Sequence, residues 1–141
     1  MTRLIVLVVL VAVAVVVALV LQRRRPDPPS VPSYRAPAQL DRDDFDRPGD
    51  PFLVVVFASA SCHTCPEVWA IVEPLGTDDL VVQRVDVEHR SELHERYRID
   101  GVPTTVLANA DGVVTATFFG PTSPDDLAEA VDALRRTASD Q

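Results

Sequence analysis

Four residues separate the unbroken apolar run Phe52-Leu53-Val54-Val55-Val56-Phe57 from Cys62-His63-Thr64-Cys65. Such a run reads as a strand covered on both faces, which calls for helices packed on either side of its sheet. The two cysteines are the only ones in the chain, and they stand where the strand gives way to a helix. Two sulfurs at that spacing can close a small disulfide ring and reopen it. Unpaired backbone N–H groups at a helix N-terminus point at the first sulfur and stabilise its thiolate. The pattern points to thiol–disulfide exchange. Two cysteines cannot make a disulfide framework, so burial must hold the core together.

The remaining pattern alternates strands and helices. Leu40 to Arg47 reads as a short helix with Asp41 as its cap and Leu40 and Phe45 turned inward. Phe52 to Ala58 is the central strand, Cys65 to Leu75 a helix, and Leu80 to Val87 a second strand. Thr64-x-x-Glu67 has the form of a capping box, with Pro66 in the first turn. Ser91 is placed to cap a short helix whose Leu93 and Tyr97 form an i, i+4 pair. Thr104 to Ala108 and Val113 to Phe119 flank Asn109-Ala110-Asp111-Gly112, a turn-rich link, and so make a hairpin. Ser123-Pro124-Asp125-Asp126 opens a last helix, with a cap, a proline in the first turn and acids over the positive dipole end. Leu127, Val131 and Leu134 are its inner stripe. A parallel crossover followed by an antiparallel hairpin predicts an α/β fold, a mixed sheet with helices on both faces.

Before this domain stand eighteen consecutive uncharged residues, Leu4 to Leu21. As a helix they would span about 27 Å, close to the hydrocarbon thickness of a bilayer. A cleaved secretory signal has a shorter apolar stretch and an Ala-x-Ala-like site, whereas this one ends in Gln22-Arg23-Arg24-Arg25. A domain this small could not cover such a helix on all sides. The expectation is a single transmembrane helix within residues 1–22, in contact with the lipid bilayer through residues 4–21. Residues 23–38 form an Arg/Pro-rich linker, residues 39–137 the folded domain and residues 138–141 a tail. Pro26, Pro28, Pro29, Pro32 and Pro37 make the linker a stiff spacer. The three arginines after the span outweigh Arg3 and the terminal amine before it, which places the protein in the cell membrane as a single-pass chain with its domain facing the cytoplasm. The margin is small, and an exterior domain stays open.

Charge excludes one class of partner. From residue 38 onward there are 8 arginines and 20 acids. A surface of that sign repels phosphate backbones, so no nucleic acid is expected.

A second motif, Tyr97-Arg98-Ile99-Asp100-Gly101-Val102-Pro103-Thr104, joins the first. Together they resemble the thioredoxin family over about 100 residues, with Phe57, Asp86, the hairpin and Gly120 as further points of likeness. The resemblance implies a thioredoxin-like fold, with a cis Val102–Pro103 bond opposite the cysteine pair and an incoming peptide paired with the backbone before the proline. It implies that Cys62 is the exposed attacker and that Cys65 resolves the mixed disulfide. His63 and Thr64, between them, tune the redox poise. A protonated His63 would place positive charge beside the Cys62 sulfur. The chain departs from the family in three ways. Ser61 stands where tryptophan is usual, His63-Thr64 replaces Gly-Pro, and Val56 aligns with a buried acid that is thought to assist proton transfer. Trp69 reads as a packing residue, and His89 and His94 as surface residues.

The functional expectation is a membrane-tethered thiol–disulfide oxidoreductase whose only redox group is the Cys62–Cys65 disulfide, with no other cofactor and no metal. No flavin or nicotinamide motif is present, so electrons pass between protein thiol or disulfide clients and a donor or acceptor protein. The alternative is a binding module: a redox-inactive adaptor, or a metal-binding or delivery domain acting through Cys62 and Cys65. A closed zinc site needs four ligands, and the sequence offers one local pair.

Overall fold

In the computed structural model, residue 1 and residues 34–139 are described. The expected membrane span, and the linker as far as residue 33, lie outside them. Among the described residues no helix is long and apolar enough to cross a membrane.

Four strands form one sheet in the order β2-β1-β3-β4. They are β1 (Phe52–Ala58), β2 (Leu80–Asp86), β3 (Thr104–Asn109) and β4 (Val114–Phe119). β1 pairs parallel with β2 and antiparallel with β3, and β3 pairs antiparallel with β4. The helices are α1 (Cys65–Val72), α2 (Ser91–Arg96) and α3 (Pro124–Ser139), with 3-10 turns at Arg42–Asp44 and Glu73–Leu75. This is the mixed α/β order that the sequence predicts.

Every residue of β1 is buried, because helices cover both faces of the sheet. Side chains alternate across a strand. Leu53, Val55 and Phe57 therefore join Leu40, Phe45, Leu93 and Tyr97 on one face. Phe52, Val54 and Val56 join Val68 and Val72 of α1 and Leu127, Val131 and Leu134 of α3 on the other. Ser123 Oγ accepts the Asp125 N–H at 3.2 Å, as its capping position predicts.

Several local expectations are corrected. The Leu40–Arg47 helix shrinks to one 3-10 turn, although Asp41 does cap it and Leu40 and Phe45 are buried. The Cys65–Leu75 helix tightens into a 3-10 turn after Val72. Ser91 is the first residue of α2, and the cap position is Arg90, which makes no side-chain cap bond. His89 is exposed, but His94 is buried. Its Nε2 lies 3.0 Å from the Val85 carbonyl, and its ring meets Phe57 edge-on at 5.2 Å. A polar ring can be buried there because the carbonyl satisfies it and the aromatic packs against it.

Candidate active site

β1 ends at Ala58, and the chain turns through residues 59–64 into α1. Backbone N–H groups help to hold this turn. Val87 N–H donates to the Ala58 carbonyl at 3.0 Å, Ala60 N–H to Glu88 Oε1 at 2.9 Å, and Cys62 N–H to the Ser59 carbonyl at 3.2 Å. Glu88 is a residue the sequence did not single out. Its signal was an acid just beyond a strand that runs parallel to β1.

Cys62 and Cys65 are joined, with S–S 2.08 Å and Cα–Cα 5.5 Å. Cys62 is half-buried, and Cys65 is fully buried at the start of α1. The Cys65 backbone N–H donates to Cys62 Sγ at 3.1 Å. The first sulfur thus lies against a free N–H of the helix end, the contact that favours a thiolate when the ring opens. Among the described residues no three His, Cys, Asp or Glu gather into a metal-ligating group.

The expected capping box is absent. Thr64 already has helical backbone angles and makes no side-chain cap bond. Its carbonyl accepts Val68 N–H at 3.2 Å, and α1 begins at Cys65, where the sequence reading starts it. The Thr64 hydroxyl lies 3.8 Å from Cys62 Sγ instead. A disulfide sulfur carries no proton, so the hydroxyl is the donor there. His63 is exposed on the same turn.

The Val102–Pro103 peptide bond is cis. Register places it relative to the cysteines. Thr104, the next residue, pairs with Phe57, which brings Pro103 level with Ala58 and the start of the cysteine turn. The cysteine pair and the cis proline therefore share one end of the sheet. The Pro103 carbonyl accepts Gly120 N–H at 2.8 Å, and Thr104 Oγ1 donates to the Gly101 carbonyl at 2.7 Å. Val102 stays half-buried.

A cleft of about 220 Å³ opens here, between Val102-Pro103 on one side and Phe119-Gly120 on the other. Tyr34, which the sequence assigned to the linker, also lines it. As an isolated aromatic near a proline-rich stretch, it carried little signal. A larger cavity of about 530 Å³, near Trp69, Glu73 and Leu80, lies toward the opposite end of the sheet, where Leu80 pairs with Phe52. It holds neither cysteine.

The sheet, its helices and the close cysteine pair define a thioredoxin-like α/β protein, and they support a thiol–disulfide oxidoreductase-like role. Among solved structures the chain is similar to a mutant thioredoxin from Halobacterium salinarum NRC-1, with 26% sequence identity and a TM-score of 0.58. The match covers 69% of this chain and 87% of that one. No protein-family model matches the chain, and no curated protein does.

Proposed function

We propose that the chain is a membrane-tethered thiol–disulfide oxidoreductase acting on protein disulfides through Cys62-His63-Thr64-Cys65. The observation that carries this reading is the asymmetry of the pair: one sulfur is half-buried and held against a helix N–H, and its partner is fully buried one turn on.

In the reduced protein, the Cys62 thiolate attacks one sulfur of a client disulfide. A Cys62–client S–S bond forms and the client S–S bond breaks. The departing client sulfur leaves with the electron pair and takes a proton from water. Cys65 then loses its proton and attacks Cys62 Sγ. The Cys62–Cys65 bond closes, and the second client sulfur leaves as a thiol. The client gains two electrons and two protons; the protein gives up the two electrons and the Cys65 proton, and water supplies the other proton. The reverse sequence makes a client disulfide. Either direction needs a dithiol or disulfide protein to reset the pair, and no cofactor beyond the cysteines enters. Val102-Pro103 is the ledge that docks the client backbone. Thr64 Oγ1, close to Cys62 Sγ, and His63 on the same turn tune the Cys62 thiolate and so the redox poise. Val56 supplies no acid or base, so the proton of Cys65 passes to water. Residues 4–21 anchor the domain in the cell membrane, with the domain on the cytoplasmic side.

Insulin reduction by the full chain tests the proposal. Cys62→Ser should abolish turnover, and Cys65→Ser should accumulate a mixed disulfide through Cys62. Turnover persisting in Cys62→Ser would overturn the assignment. A reporter fused after Gln141 reads the membrane side.

A further inference from the structure

The strongest unassigned feature is Tyr34. Its ring stacks on Phe119 at 5.3 Å between centroids, with 22° between the planes. It also covers Gly101: a Cβ built there would stand 2.5 Å from Tyr34 Cε1. The backbone that follows is tied down, since Val114 N–H donates to the Ala38 carbonyl and Gln39 bridges to Val113. Tyr34 thus lies over the Gly101-Val102-Pro103 segment, and the Gly120 N–H bond to the Pro103 carbonyl brings Phe119-Gly120 beside it.

The ring is nonetheless weakly held. Tyr34 as a whole is 45% exposed, and among the described residues it makes no hydrogen bond. Stacking and contact with a bare glycine are what keep it in place.

We infer that Tyr34 is a self-occluding cover on the client-docking cleft. An extended client reaching Cys62 along Val102-Pro103 must displace the ring, whereas a small reagent needs no such room. This rests on the oxidoreductase reading for the identity of the client, but the cover itself is a property of the fold. An aromatic stack of this kind favours its closed state by roughly 2- to 10-fold. A ligand that binds only the open state loses apparent affinity by that factor.

The test uses the purified, reduced full chain and its Tyr34→Ala and Tyr34→Phe variants. Second-order alkylation of Cys62 is measured with N-ethylmaleimide and with the same maleimide carried mid-way along an extended apolar peptide, and mass spectrometry locates the adduct. The peptide reagent should react roughly 2- to 10-fold faster with Tyr34→Ala. It should react at the wild-type rate with Tyr34→Phe, and the small reagent should be indifferent to all three. A peptide rate that is unchanged or lower in Tyr34→Ala, one that rises equally in Tyr34→Phe, or a parallel rise with N-ethylmaleimide would overturn the inference. Alkylation needs an accessible thiol but no turnover. Failure of the oxidoreductase reading would instead show as absent insulin reduction with the cover effect intact.

Discussion

The Tyr97 hydroxyl donates to the Asp44 carboxylate, joining the residue after α2 to the 3-10 turn that precedes β1. The same hydroxyl accepts the Asp41 N–H at 3.0 Å, and Arg96 Nη1 reaches the same carboxylate at 2.7 Å. Burial, and after it the bond to Asp44, push the Tyr97 phenol up to about 12. Tyr97→Phe would leave a carboxylate oxygen and the Asp41 N–H without this partner. A loss of about 1–3 kcal/mol in urea unfolding is expected. An unchanged midpoint would show that water replaces the hydroxyl.

The pH dependence of this cluster has a definite sign. Burial works to raise the Asp44 carboxyl, but the Tyr97 and Arg96 bonds and the arginine charges outweigh it and hold it below its ordinary 3.8. A depressed carboxyl contributes stability above its unfolded value, and that contribution is lost as pH falls through the folded one. The stability gap between the wild type and Asp44→Asn should therefore be full at neutral pH and close below about pH 4. Tyr97 acts at the other end, where its contribution is full below 10 and is lost as pH rises toward 12. Denaturant unfolding across pH checks both limbs. A gap that persists undiminished at pH 2 would contradict the acid limb.

Among the described residues the buried Thr105 hydroxyl has no hydrogen-bond partner. It pairs with Val56 on β1, whose face of the sheet packs against α1 and α3. Replacing an unsatisfied hydroxyl with a methyl of similar shape removes its desolvation penalty. Thr105→Val should stabilise the domain by about 1 kcal/mol in urea unfolding. Destabilisation would mean that the hydroxyl is hydrogen-bonded in solution.

His94 fills space between Phe57 and the Val85 carbonyl. His94→Ala should cost about 2–4 kcal/mol, the scale of other buried large-to-small changes. His89→Ala, at an exposed position, should change stability by less than about 0.5 kcal/mol. Equal effects of the two would place His94 at the surface.

Gly112 and Gly120 both have left-handed backbones, with φ of 76° and 78°. A Cβ on Gly112 would stand 1.9 Å from the Leu40 carbonyl oxygen, whereas nothing lies within 4 Å of one on Gly120. Gly120→Ala should therefore cost only the conformational strain, about 1–2 kcal/mol. Gly112→Ala should cost clearly more, because Leu40 N–H also bonds the Gly112 carbonyl at 2.8 Å. Thermal unfolding ranks the two, and a reversed order would refute the close approach.

Elements whose signals are local were legible in the sequence. β1 runs from Phe52 to Ala58 as its apolar pattern predicts, and the Asn109–Gly112 turn joins two antiparallel strands. The Leu127, Val131 and Leu134 stripe is buried. The Thr64–Glu67 capping box failed because Thr64 already has helical angles and no side-chain cap bond forms there. His94 was misjudged because its partners, Phe57 and Val85, are brought to it by other elements. Tyr34 was read as linker because nothing around it in sequence announces a stack with Phe119.

Alone, the chain's order of residues determined that two sulfurs three positions apart could meet at a strand-to-helix junction, since nearby backbone dictates that geometry. Only the tertiary structure decided what faces them. The antiparallel pairing of β1 with β3 brings Pro103 to the cysteine end, and the packing of residues 34–39 lays an aromatic ring over the neighbouring cleft. Both depend on contacts between segments distant in sequence, where burial and hydrogen-bond pairing, not local propensity, set the positions.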